Sequence, residues 1–164
     1  FQVSTSLFAQ DYSVGLGYGI VEQGDDRISP TVNLNVGVDD WQLGYYFYGR
    51  TFGPVYQKTH TLAFSRRFPV KLFSSEKLGA KIGLGYLLQT TVVAYTKDKD
   101  ASFNNSENSS NFGALLGVNY IIWTNAPFII ELNWESLIMP AGESGILLAT
   151  GRKEYLLLGA RANI

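Results

Sequence analysis

Eight stretches of this chain alternate bulky apolar residues with small or polar ones, residue by residue. That period of two commits them to extended strands, because successive strand side chains point to opposite faces. In 12–22, Val14, Leu16, Tyr18 and Ile20 stand against Ser13, Gly15, Gly17 and Gly19. In 28–38, Val32, Leu34, Val36 and Val38 oppose Thr31, Asn33, Asn35 and Gly37. The pattern returns in 41–50 (Trp41, Leu43, Tyr45, Phe47) and in 56–68, where Arg66 and His60 fall on the otherwise apolar side. It continues through 77–96, 112–122, 128–138 and 154–164. The longest uncharged run, 108–130, is long enough for a membrane helix, but Asn111, Gly113, Gly117, Asn119, Thr124, Asn125 and Pro127 break it. Read with period two it becomes a pair of strands around a turn at 124–127, a hairpin.

The connections divide by length. Those at 38–41 and 124–127 are short and 69–76 is middling, whereas those around 23–27, 51–55, 97–110 and 140–153 are mostly longer and more polar. In an antiparallel meander alternate connections lie at opposite ends, so one end is trimmed and the other carries loops. Residues 1–11 change apolar phase, which predicts either an N-terminal extension or a bulged start of the first strand. A full strand there would demand a tenth from 145–150, with 151–153 as a turn. The expected domain organisation is one unit over 1–164, with any export signal already removed.

Alternation does not say which stripe faces water; composition does. Charged residues make up 16% of the chain, against about 25% in an average soluble domain. The non-apolar stripe is mostly Gly, Ser, Thr, Asn and Gln, which suits the narrow interior of eight strands better than a solvated surface. The bulky stripe then meets hydrocarbon, and closure removes the unpaired edges that lipid would penalise. The expected fold is all-β: an eight-stranded antiparallel up-and-down transmembrane β-barrel with short periplasmic turns and longer extracellular loops. A net charge of -1 leaves no basic surface for nucleic acid. The absence of cysteine removes disulfides and thiolate chemistry.

On these residues the chain resembles the small outer-membrane barrels of Gram-negative bacteria, the OmpA transmembrane-domain and OmpX class, over its whole length. The tail Gly159-Ala160-Arg161-Ala162-Asn163-Ile164 is similar to that class's C-terminal assembly signal, with Ile164 where the class prefers Phe. The resemblance implies residence in the outer membrane, contact with its lipid or lipopolysaccharide, and delivery by the barrel-assembly machinery through the last strand.

Parity sends Glu131, Glu135, Arg161, Arg67 and Lys81 to the lumen, where an unpartnered charge is costly. We expect a polar network among them, with Glu131 pairing Arg161 on the neighbouring strand. Structural plugging is the simpler reading of that network, and a gate for water or ions the sharper one. Glu131 and Glu135 stand about 13 Å apart by strand rise, too far for the usual glycosidase carboxylates. Trp41, Phe68, Tyr120 and Phe128 lie on the apolar face near the trimmed end, where an aromatic belt belongs, while Trp123 falls on the other parity. His60 is the sole histidine. The His and Ser of lipid A deacylase barrels sit two residues apart on one strand, and here that place holds Leu62. Gly15-Leu16-Gly17-Tyr18 and Gly83-Leu84-Gly85-Tyr86 are strand interiors rather than phosphate loops. Asp25 and Asp26 lack the other ligands of a calcium site.

The sequence therefore predicts a non-enzymatic, cofactor-free barrel with a plugged or very narrow polar lumen and a structural or surface role. Loops 97–110 and 140–153 are the candidate ligand surfaces. A minor pore and a lipid-modifying enzyme are the alternatives, with a soluble lipocalin-like carrier behind them.

Overall fold

The computed structural model describes residues 11–22, 28–52, 55–72, 75–96, 102–140 and 150–164. Strands β1 (Tyr12–Glu22), β2 (Ile28–Val38), β3 (Trp41–Phe52), β4 (Val55–Leu72), β5 (Ser75–Thr96), β6 (Ser102–Asn125), β7 (Phe128–Pro140) and β8 (Thr150–Asn163) follow in chain order. Each pairs antiparallel with the next, and β8 returns to β1 to close the barrel. Direct β1–β8 pairing leaves no place for a tenth strand, and Gly151, Arg152 and Lys153 belong to β8 rather than to a turn. Residues 1–10 and 23–27, with Asp25 and Asp26, lie outside the described residues.

The bulky stripe is on the outside. Leu84 is 68% exposed and Phe112 70%, whereas Thr59 and Glu135 on the other stripe are at most 1% exposed. A soluble barrel would show the reverse. The central strands exceed the 9 to 11 residues or so that cross a bilayer. β5 has 22 residues and β6 has 24, so their hairpin continues past the barrel at the loop end.

That hairpin corrects the reading of 97–110 as loop, because Ser102–Ser110 are strand, paired with β5 from Thr96↔Ser102 to Leu88↔Ser110. The Asn and Ser residues of 102–110 look like loop locally, but Thr90, Thr91, Val92 and Val93 across the ladder are strong strand formers. Similarly, 51–55 is no long connection, since β3 and β4 pair as far as Phe52↔Val55. Pro140 and Thr150–Lys153 likewise belong to β7 and β8, and 141–149 lie outside the described residues.

At the trimmed end Asp39 occupies the left-handed region (φ 53°), which a short polar side chain tolerates in a two-residue turn. Its backbone N–H donates to the Asp11 carbonyl at 2.8 Å, and its Oδ1 accepts from the Asp11 N–H at 3.2 Å. The chain entry is thus tied to the β2–β3 turn.

Candidate functional site

Along most staves the inward residues are polar toward the trimmed end and bulkier or apolar toward the loop end. On β5 Lys81 precedes Leu87, and on β7 Glu131, Asn133 and Glu135 precede Leu137 and Met139. Running the other way, Asn119 on β6 lies below Leu115, and Arg161 on β8 lies below Leu157 and Tyr155. All but Arg161 are buried. The lumen therefore holds two stacked layers.

In the lower layer Arg67 clamps Glu131 with both terminal nitrogens, Nη1 to Oε2 at 3.1 Å and Nη2 to Oε1 at 3.0 Å. This bidentate geometry is the strong form of the guanidinium–carboxylate bond. Lys81 forms an ion pair with Glu135, which also accepts from the Tyr46 hydroxyl. The pair closes over a bare backbone. Gly117 sits between them in one register row, Lys81↔Gly117↔Glu135. A Cβ on it would lie 3.0 Å from Glu135 Cγ and 3.5 Å from Lys81 Cβ.

The expected Glu131–Arg161 pair is not the one formed. Glu131 stands opposite Gly159, and Arg161 lies two residues further toward the mouth, opposite Ile129. Arg67 reaches Glu131 across the interior instead, and Arg161 donates to Asn163 Oδ1 at 3.1 Å. Arg161 and Arg67 both line a mouth cavity of about 230 Å³, with Asp39, Asp40 and Asn119 around it.

The upper layer departs from a wholly polar interior. Leu87, Leu115, Leu137, Leu157, Met139 and Val21 are buried there, with Tyr48 and Tyr155, while Thr31, Thr59, Thr61 and Gln57 fill the β2 and β4 side of the same level. The Tyr155 ring packs on Tyr46 at 4.8 Å and Tyr48 at 6.5 Å, and its hydroxyl shares a 3.1 Å hydrogen bond with Thr61. Consecutive apolar pairs, Leu87-Leu88 and Leu115-Leu116, and the run Leu156-Leu157-Leu158 were the available signal. Each breaks strict alternation by placing an apolar residue on both faces.

Outside, Trp41, Phe68, Tyr120 and Phe128 are exposed on the apolar face at the trimmed end. Trp123 joins them, which parity alone denied. The register shift between Ile121 and Trp123 inserts an extra residue, so that Trp123 pairs with outward-facing Ile130. Arg66, anomalous in the pattern, lies over the Trp41 and Phe68 rings at 5.5 and 5.3 Å and reaches Asp40 at 3.5 Å. His60 faces outward and is half-buried, its Nδ1 2.6 Å from the Tyr45 hydroxyl. Thr59 and Thr61 point inward, and Leu62 is exposed on the apolar face. Among the described residues no cluster of His, Asp or Glu has the makings of a metal site.

No protein-family model and no curated protein sequence matches the chain. Solved structures do. A major outer membrane protein from Thermus thermophilus superposes with a TM-score of 0.66 at 14% identity, over 95% of this chain and 100% of that one. Ail, the attachment invasion locus protein of Yersinia pestis, crystallised with the heparin analogue sucrose octasulfate, gives 0.58 at 15% identity, covering 94% and 97%. Neisserial surface protein A gives 0.54 at 11% identity, again over 94% and 97%. The likeness is one of fold: a closed, eight-stranded antiparallel barrel of the outer-membrane type, which this chain shares along nearly its whole length.

Proposed function

We propose that the chain is a non-enzymatic integral protein of a Gram-negative outer membrane, with its trimmed end in the periplasm and its β5–β6 hairpin at the cell surface. It acts through its walls and rim rather than through a pore. The observation that carries this reading is the filled lumen. Arg67–Glu131 and Lys81–Glu135 cross-link one layer, and Tyr48, Tyr155 and four buried leucines occupy the next. An ion would have to break buried, hydrogen-bonded pairs and then pass a level packed with leucine and tyrosine side chains.

The rim supports a surface role. Glu107, Asn108, Ser109, Ser110 and Asn111 of β6 are exposed beyond the barrel wall, a polar strand surface held rigid by its ladder with β5. The Yersinia protein was crystallised with a sulfated sugar analogue. In this chain the rim residues offer amides, hydroxyls and one carboxylate, Glu107, and no cation, which disfavours a sulfated ligand there and favours a neutral polar partner. The lumen network and the outward aromatics, Trp41, Phe68, Tyr120 and Phe128, serve the same end by fixing the barrel's shape and depth. The last strand would carry the contact with the assembly machinery.

The test is reconstitution. The folded protein should migrate differently on a detergent gel before and after boiling, and planar bilayers containing it should stay electrically silent. Steady unit conductance would replace this reading with a pore. Good solubility without detergent would remove the membrane altogether.

A further inference from the structure

The outward stripe changes character near the loop end. Below it the face is nearly all apolar, and the first charged outward residues met are Glu22, Lys58, Arg152 and Glu154. Just inside that limit stands an ionisable pair, His60 on β4 and Tyr45 on β3, with Phe47 packed on the imidazole at 5.1 Å. An ionisable group on a lipid-facing stripe needs an explanation, since membrane segments tolerate few of them.

Depth supplies part of it. From Phe68 in the outward aromatic cluster to His60 is eight residues of β4. At about 3.3 Å per residue and a tilt near 40°, that is roughly 20 Å along the normal. The apolar band of such barrels is about 25 Å tall, so His60 lies a few ångströms inside its outer boundary, where acyl chains meet their carbonyl groups. Lys58, the next outward residue, lies about 5 Å further out by the same rise and tilt, at phosphate depth.

Hydrogen bonding supplies the rest. A phenol is a good donor and a neutral imidazole a good acceptor, so an imidazole that accepts from the Tyr45 hydroxyl at Nδ1 carries its ring proton on Nε2. No described protein group accepts from Nε2, and a donor left bare against hydrocarbon is costly. Lys58 Nζ lies 5.4 Å from the centre of the Tyr56 ring, with no described carboxylate at ion-pair distance. Tyr56 lies across β3 at Gly49, where a Cβ would be 3.3 Å from the Tyr56 hydroxyl.

We propose that Tyr45, His60 and Lys58 form a docking site for one phosphate-bearing acyl lipid of the outer leaflet. His60 Nε2–H donates to an acyl carbonyl oxygen, and Lys58 holds the phosphate. This rests on the membrane reading above and adds a specific lipid contact to it.

Because His60 is the sole histidine, it reports on itself. The intact chain, labelled with 15N-histidine, is reconstituted in nanodiscs of diester phosphatidylglycerol and of its diether analogue, which lacks the carbonyls. The Nε2–H resonance should differ between the two lipids, and Tyr45→Phe, which frees Nδ1, should change that difference. Native mass spectrometry should show retained phosphatidylglycerol falling about fivefold in His60→Phe, the loss expected for a neutral hydrogen bond, and about tenfold or more in Lys58→Gln, the loss expected for one to a charged group. Identical resonances in both lipids, or unchanged retention in both variants, would overturn the site. Failure to fold in either lipid would instead count against the membrane reading, and the heat-dependent gel shift separates the two.

Discussion

At the trimmed end the lumen is held by Arg67–Glu131 and Lys81–Glu135, whereas toward the loops Leu87, Leu115, Leu137 and Leu157 fill the next level. The two layers sit on the same staves, yet they constrain the barrel differently. A charged layer discriminates between arrangements, because a slip of one residue would turn Glu135 or Lys81 outward into lipid. An apolar layer fills space without choosing a register, since a leucine turned outward is welcome in hydrocarbon. Register is therefore specified chiefly from the trimmed end.

Breaking the charged layer one partner at a time gives the largest effect. Glu135→Ala leaves Lys81 and the Tyr46 hydroxyl buried without their acceptor, an expected loss of about 3–5 kcal/mol in urea unfolding from vesicles. Replacing both partners, Glu135→Leu with Lys81→Met, should recover most of that loss. A single variant as stable as the parent would show that the pair is not desolvated. In the apolar layer Leu137→Ala should cost about 2–5 kcal/mol, set by how far its neighbours collapse. Its double-mutant cycle with Glu135→Ala should be nearly additive if the layers are separate units.

A third substitution attacks the junction on which the ion pair depends. Gly117→Val places a branched side chain in the row between Lys81 and Glu135, so the pair must open or the strands shift. Overpacking of this sort costs about 1–3 kcal/mol. The lysine–glutamate contact should lengthen in the variant's structure, and an unchanged contact with unchanged stability would mean the row has slack.

Much of this was legible in the chain. Period two is a local signal, so the eight strands, the inward glycines and the inward parity of Glu131, Glu135, Arg67, Lys81 and Arg161 could be read residue by residue. What failed to show was set across strands. The choice of Arg67 over Arg161 depends on which side chains converge in the interior, and Arg67 is 64 residues from Glu131. Trp123 was misplaced because a bulge shifts every parity beyond it, and nothing in Ile121-Ile122-Trp123 announces one. The Asn- and Ser-rich strand at 102–110 owes its extension to its partner β5. The apolar lumen was visible but unread, since each extra leucine looks like noise until four of them meet.

The smallest predicted effect sharpens the comparison most, because it uses adjacent residues. Arg66 and Arg67 are consecutive on β4 and point to opposite sides of the wall. Arg67 is 17% exposed and clamps a buried carboxylate, while Arg66 is 47% exposed, lies over Trp41 and Phe68, and reaches Asp40, itself 55% exposed. Identical chemistry thus meets two environments one residue apart. Arg66→Gln should cost no more than about 1 kcal/mol, and raising salt should shrink that cost because exposed pairs are screened. Arg67→Gln should cost several times more and respond little to salt, since its partner is sealed in the lumen. Parallel urea titrations of both variants at low and high salt decide the matter. Equal costs with equal salt dependence would mean that water reaches the lower layer, and the distinction between a register-setting interior and a screened rim would fail with it.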